Sequence, residues 1–344
     1  MKKLESIYSD FGYTRYKMSK FEEYELYAKN KDFLLSENVL TFTDVSGKLM
    51  ALKPDVTLSI IKNSADCKDG VTKVYYNENV YRVSKDSNSF REIKQLGLEC
   101  IGDIGNYEIA EVLHLAAESL RAISDEYVLS VSNMDVVTEL LSSMGLSKGE
   151  TEKVLFAISS KSLHEVESIC KAADVDVKKI DKLKALVSTY GKPSDVINDL
   201  KAWLPESEAL LKLELITSAL PEDSLRIDFS VLSDTNYYNG IVFKGFVAGI
   251  PESIISGGQY DKLMVRMKRT SKALGFAVYV DAIPEDDKQT LDTDVLVLYK
   301  EGDDIKEIFD VVKAQGDKTV TVLKSIPENF TFEKLIEVGG QNNA

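Results

Sequence analysis

Histidine, cysteine and tryptophan are scarce here, at two, three and one among 344 residues. Cys67, Cys100 and Cys170 are odd in number and widely spaced, which excludes a disulfide framework. With only His114 and His164 to join them, no metal-ligand spacing can be assembled, so neither zinc nor any other cofactor is expected. A His-centred catalytic triad has almost no material to draw on. His114 sits in the apolar run E-V-L-H-L-A-A-E-S-L and reads as a packing residue of a helix.

Long apolar runs are missing too. Nothing approaches the ~20 residues that span a bilayer, and the start, M-K-K-L-E-S-I-Y-S-D-F, has no apolar stretch of signal-peptide length. The expected location is the cytoplasm. Neither G-x-G-x-x-G after a strand nor a G-K-S/T loop occurs, so the two commonest nucleotide-binding loops are absent. Basic charge is in deficit: 42 Lys and Arg face 56 Asp and Glu, for a net charge of −14. Residues 285–344 carry 14 acidic side chains against 7 lysines, half of the whole deficit. A nucleic-acid binder needs local cations to replace counterions on phosphates, so this tail is poorly suited to RNA.

What remains is ordinary for a soluble globular chain, 44% hydrophobic and 28% charged. The first third alternates helix and strand signals. F-G-Y-T-R-Y-K-M-S is strand-like, and F-E-E-Y-E-L-Y-A-K-N places aromatics at helical spacing. V-L-T-F-T-D-V-S-G-K-L-M-A-L reads as a hairpin around a Ser-Gly turn. Pro54 is expected to open a helix through D-V-T-L-S-I-I-K-N. Two long strands follow, then a helix from about Asn106 to Ala122.

The stretch 147–221 changes character, with repeated amphipathic helical patterns punctuated by Gly191, Pro193 and Pro205. Strand signals return from L-R-I-D-F-S-V-L to Val280. The expected organisation is a core from 1–146 and 222–283, a helical insertion at 147–221, and a small acidic α/β unit at 284–344. The expected class is α+β, one antiparallel sheet flanked by helices and built from both sides of the insertion.

Four constellations suggest chemistry. In L-K-P-D-V-T, Asp55 could hold an ammonium group, although alone it reads as a helix cap. In Y-R-V-S, a polar loop, then F-R-E-I-K-Q-L-G-L-E, Arg82 offers a planar fork for a carboxylate or phosphate. Strand alternation then puts Gln95, Gly97 and Glu99 on one face and Leu96 and Leu98 on the other. A water-facing polar stripe is the bland alternative. Y-Y-N-G-I-V-F, at Tyr237–Phe243, and G-G-Q-Y-D, at Gly257–Asp261, combine tyrosines with glycines that allow close backbone approach. Tyr237 and Tyr238 alternate along a strand, so only one can face a pocket.

Taken in order, these motifs over residues 1–283 resemble the core of histidyl-tRNA synthetases, class II enzymes. The resemblance implies a histidine pocket of Asp55 and Thr57 (R-P-E-G-T in that family), Arg82, Gln95, Glu99, and Tyr238 rather than Tyr237. It also implies a homodimeric core. On the ATP side the pattern departs. Ser84 stands for an adenine-side acid, Ser233 for a catalytic arginine, and Ala282 for the third-motif arginine. Removing one transition-state donor typically costs ~10²–10³ in rate.

A synthetase-like core that keeps its amino-acid side and loses activation resembles the family of ATP phosphoribosyltransferase regulatory subunits. That family implies a non-enzymatic role and a hetero-oligomer with a short-form catalytic subunit in histidine biosynthesis. It also implies histidine as feedback effector and no tRNA partner. The alternatives are a divergent histidyl-tRNA synthetase and a free-standing histidine-binding paralog.

Overall fold

A computed structural model describes residues 2–34, 39–66, 69–83, 89–232, 238–283, 292–328 and 330–338. The chain divides into two units, Met1–Ile283 and Pro284–Ala344.

The first unit is organised by a nine-stranded sheet. Two 13-residue strands, Val71–Val83 and Phe90–Gly102, pair antiparallel along their whole length. The sheet continues antiparallel through Lys272–Tyr279, Ile255–Gln259, Asn239–Val247 and Tyr127–Asn133. Its central part thus joins strands from both sides of the intervening helices, as the antiparallel reading requires. The margins differ from that reading, because Thr14–Arg15 pairs parallel with Val71–Val83, and Leu225–Asp228 parallel with Tyr127–Asn133. The strand-like run at 11–19 yields only Thr14–Arg15 in this sheet.

Helices cover one face. Lys2–Asp10 and Asn106–Ile123 pack together, with the Tyr8 and Ser119 hydroxyls 2.8 Å apart in a buried contact. Leu96, Leu98 and Cys100 bury into this core from the sheet. The opposite face carries a second cluster around Tyr27, Val56, Leu58, Ile60, Tyr76, Tyr260 and Leu263.

The hairpin forms as Thr41–Thr43 with Leu49–Leu52, and Phe21–Glu23 adds a third strand beside it. The helix after Pro54 starts later than expected, at Thr57. Asp55 is the reason: its Oδ1 accepts the Leu58 N–H at 2.8 Å, so the acid, not the proline, organises the first turn.

Residues 148–217 form five helices: Lys148–Ser159, Leu163–Ala172, Val177–Ser188, Pro193–Lys201 and Glu208–Thr217. Between them Tyr190–Gly191 reaches the sheet and pairs with Leu225–Asp228 as its edge. No periodicity announces a two-residue strand.

The second unit has three parallel strands, in the order Val320–Leu323, Thr293–Leu298, Phe332–Glu337, with the helix Ile305–Lys313. Phe332–Glu337 carries no clear strand signal, because its F-E-K-L-I-E pattern mixes charges among mostly exposed positions.

Candidate functional site

Alternation along Phe90–Gly102 decides where the site lies. Its leucines enter the helix-covered core, so Gln95 and Glu99 emerge on the other face, where both line a cavity of about 310 Å³. Both are almost fully buried, at 3% and 2% exposure. Room for them comes from glycines. A Cβ at Gly97 would run into the Phe276 carbonyl and the Tyr76 ring, and one at Gly275 into Glu99 Oε2 and the Leu98 carbonyl. Gly275 is the direct cross-strand partner of Glu99.

Glu99 is gripped from two sides. Thr57 Oγ1 donates to its Oε1 at 2.7 Å, and the Tyr260 hydroxyl donates to its Oε2. Burial nevertheless pushes the Glu99 carboxyl up to about 8, with nearby Asp55 adding to the rise. Asp55 itself is shifted up by burial, opposed by the Leu58 N–H and by the positive field of Arg82. Arg82 Nε donates to the Pro54 carbonyl at 2.8 Å, which fixes the guanidinium against the segment carrying Asp55. Just before it, fully buried Lys53 pairs with Glu78. The K-P-D segment is therefore tied to Val71–Val83 on both sides of the proline.

Asp55, Thr57, Arg82, Gln95, Glu99 and Tyr238 all line this one cavity. Tyr237 lies outside the described residues, as do Ser84 and Ser233. Tyr238 precedes the strand Asn239–Val247 rather than sitting within it. Burial raises its hydroxyl well above the ordinary tyrosine value, with neighbouring Tyr279, Glu99 and Asp55 acting in the same direction.

The glycine-rich signatures prove to be two halves of one junction. Asn239 Nδ2 donates to Asp261 Oδ2 at 2.9 Å, and the Asp261 N–H returns a bond to Asn239 Oδ1 at 2.8 Å. Asp261 Oδ1 also accepts the Ala273 N–H at 2.9 Å. Gly240 adopts a φ of +56°, and a Cβ there would strike the Gln259 amide oxygen, which accepts the Ile241 N–H at 3.0 Å.

Sequence reasoning missed several lining residues: Phe33, Tyr76, Lys244, Ser256 and Tyr279, and the hydrogen-bonding role of Tyr260. Tyr260 was legible only as part of a motif; its partnership with Glu99 spans 161 residues. Lys244 lies in an apolar strand pattern with no local signal. It matters because it lines the cavity and, with Ala282, an adjoining shallow recess. Lys244 thus borders both the cavity and the recess that Ala282 lines.

The cavity can receive an ammonium at Asp55, a carboxylate at Arg82 and a polar ring near Glu99. Neither histidine of the chain lines it, and His114 instead packs against Phe11, the rings tilted with centroids 5.5 Å apart. Among the described residues no group of three or more His, Cys, Asp or Glu is placed to hold a metal, and no helix is long and apolar enough to cross a membrane.

The family model described as histidyl-tRNA synthetase matches residues 1–283. The chain is 28% identical over 286 residues to an ATP phosphoribosyltransferase regulatory subunit of Alkaliphilus metalliredigens, covering 79% of this chain and 72% of that one. A solved ATP phosphoribosyltransferase regulatory subunit/histidyl-tRNA synthetase from Bacillus halodurans superposes with a TM-score of 0.79 at 20% identity, covering 98% of this chain and 92% of that one. A chain from the ATP phosphoribosyl transferase complex of Thermotoga maritima gives 0.64 at 20% identity, over 81% and 95%. The chain belongs to the histidyl-tRNA synthetase family, within which its curated relatives are named as regulatory subunits.

Proposed function

We propose that this member of the histidyl-tRNA synthetase family acts as the non-catalytic regulatory subunit of an ATP phosphoribosyltransferase. In this reading it partners a short-form catalytic subunit in the cytoplasm, is needed for that subunit's activity, and mediates feedback inhibition by histidine. The observation that carries the reading is the lopsided cavity. Asp55, Thr57, Arg82, Gln95, Glu99 and Tyr238 all line it, while Ala282, where the family resemblance expects an arginine, lines the adjoining recess.

Adenylate formation needs several donors aimed at charge that develops between carboxylate and phosphate. Lys244 alone is one flexible ammonium and does not reproduce a planar bidentate clamp. The relatives' names and the Thermotoga maritima complex support a partnership with the transferase. In the proposed binding mode Asp55 takes the α-ammonium of histidine, Arg82 its carboxylate, and Glu99 with Tyr238 its imidazole. The core pairs with a second copy, residues 147–221 act as an inserted helical domain, and the acidic 284–344 unit takes no tRNA.

For feedback, histidine must bind two assembly states unequally, since equal affinities shift nothing. The test mixes the full chain with a short-form catalytic subunit, then titrates histidine calorimetrically into each protein and into the mixture. A complex whose transferase activity depends on this chain and falls with histidine is expected. No complex, and no histidine binding in any state, would remove the proposal. Histidine-dependent ATP–pyrophosphate exchange would return the chain to the ligases.

A further inference from the structure

In the proposed binding mode every charge but one has its opposite. Asp55 faces the α-ammonium of the ligand and Arg82 its carboxylate, whereas Glu99 faces a ring. Glu99 is buried, and its side-chain hydrogen bonds among the described residues are two, both from hydroxyls: Thr57 Oγ1 on Oε1 and Tyr260 on Oε2. The other groups around it supply no counter-charge. Asp55 is a second acid, and Tyr76, Tyr238, Tyr260 and Tyr279 are phenols, which bring no positive charge. Of the two cations that line the cavity, Arg82 is fixed against the Pro54 carbonyl at 2.8 Å. Lys244 is rooted three strands away from the Glu99 strand, about 14 Å at the backbone.

A buried carboxylate without a counter-charge is costly, and the same group carrying its proton is far less so. Burial pushes the Glu99 carboxyl up to about 8, so near neutral pH the empty site holds the acid form. The hydroxyls of Thr57 and Tyr260 suit either form, because each can accept a hydrogen bond as well as donate one. A neutral imidazole arrives with one ring nitrogen bare. Acid and ring together then carry no net charge, wherever the proton between them sits. A second proton would leave a buried cation unmatched, and loss of the first a buried anion.

We propose that Glu99 reads the basicity of the ligand's ring through a single shared proton, and so selects an imidazole over rings of the same shape. The carboxyl O–H bond breaks as the N–H bond to the bare ring nitrogen forms, giving a carboxylate beside an imidazolium with the total charge unchanged. The inference rests on the amino-acid reading of the cavity. It also reverses the usual expectation for an acid beside an imidazole. An ionised carboxylate would draw in the protonated ring and bind best in acid. A shared proton gives highest affinity between the ordinary ring value of ~6.5 and the Glu99 value of about 8. Below that window both free partners are protonated and one proton must leave. Above it neither is, and one must be taken up, so affinity falls about tenfold per pH unit on either side.

The test is calorimetric titration of histidine at pH 5, 7 and 8.5, in buffers of different ionisation enthalpy, which counts the protons exchanged. It uses the full chain or its mixture with the short-form catalytic subunit, whichever binds. Release of about one proton at pH 5, close to none at pH 7 and uptake approaching one at pH 8.5 are expected. Glu99→Gln should abolish the uptake at pH 8.5; should that variant not fold, the wild-type counts decide alone. 1,2,4-Triazol-3-ylalanine has a ring of the same shape and far weaker basicity. It should release no proton at pH 5 and bind about ten- to a hundredfold more weakly than histidine at pH 7, for want of the charge-assisted contact. Histidine binding without release at pH 5, binding that strengthens into acid, undiminished uptake in Glu99→Gln, or equal affinity for the triazole overturns the inference and leaves the amino-acid reading standing. Absence of histidine binding from both chain and mixture removes that reading, and the inference with it.

Discussion

Thr57 Oγ1 donates to Glu99 Oε1 at 2.7 Å, joining the first residue of the helix Thr57–Asn63 to the middle of the sheet. Both side chains are buried. The bond orients the carboxylate that faces the cavity and docks the helix that carries Asp55 at its start.

Thr57→Val keeps the shape and removes the donor, leaving one Glu99 oxygen without this partner. The expected cost is about 1–3 kcal/mol of folding stability, read as a lower urea midpoint at unchanged slope. Histidine affinity should fall as well, since the carboxylate loses one of its two described anchors. An unchanged midpoint would show that the helix docks without this bond.

Glu99 gives a pH signature of defined sign. Its carboxyl is raised from 4.5 to about 8 by burial, so between those values the unfolded chain ionises while the folded one keeps its proton. The folded state then binds more protons, and stability falls as pH rises through that window. Glu99→Gln removes this contribution. Thermal midpoints across pH 5–8 should therefore decline more steeply for wild type than for the variant, all else in the chain being shared. Parallel curves would mean that Glu99 is already ionised in the fold.

Gly275→Ala probes the space in which Glu99 sits. The added methyl would meet Glu99 Oε2 and the Leu98 backbone, and backbone does not yield cheaply. Overpacking of this kind costs typically 1–3 kcal/mol, and the displaced carboxylate should abolish histidine binding. A variant that binds histidine normally would place the ring elsewhere.

Asp66 reports on the rim of the fold. It accepts the Thr270 N–H and hydroxyl at 3.0 and 2.9 Å, the Ser271 N–H at 3.0 Å, and the Ser271 hydroxyl. These bonds, the Ser271 hydroxyl foremost, hold its carboxyl well below the ordinary 3.8. A depressed folded value gives stability that is present above 3.8 and lost as pH falls towards the folded value. Asp66→Ala should lower the thermal midpoint at neutral pH, with the gap to wild type closing in strong acid. A gap independent of pH would assign the effect to packing.

Many of the residues that line the cavity were legible because each motif is local: a K-P-D turn, a period-2 strand, a Y-N-G and a G-G-Q-Y-D. Alternation alone put Gln95 and Glu99 together, and the leucines between them fell into the helix-covered core as hydrophobic burial demands. Lys244 escaped because its place follows from pairings with Ser130 and Ser256 that no local pattern encodes. Pro54 misled for a related reason. Its ring favours a helix start, but the neighbouring Asp55 carboxylate caps the turn and delays the helix to Thr57.

By itself, the order of residues determined which side chains share a strand face and where helices dominate, since these depend on periodicity alone. Only the folded chain decided that Tyr260 reaches Glu99, that Gly275 opens room for it, and that Lys244 lines the same cavity. Those facts are set by register between strands distant in sequence, and register is fixed when side chains bury together.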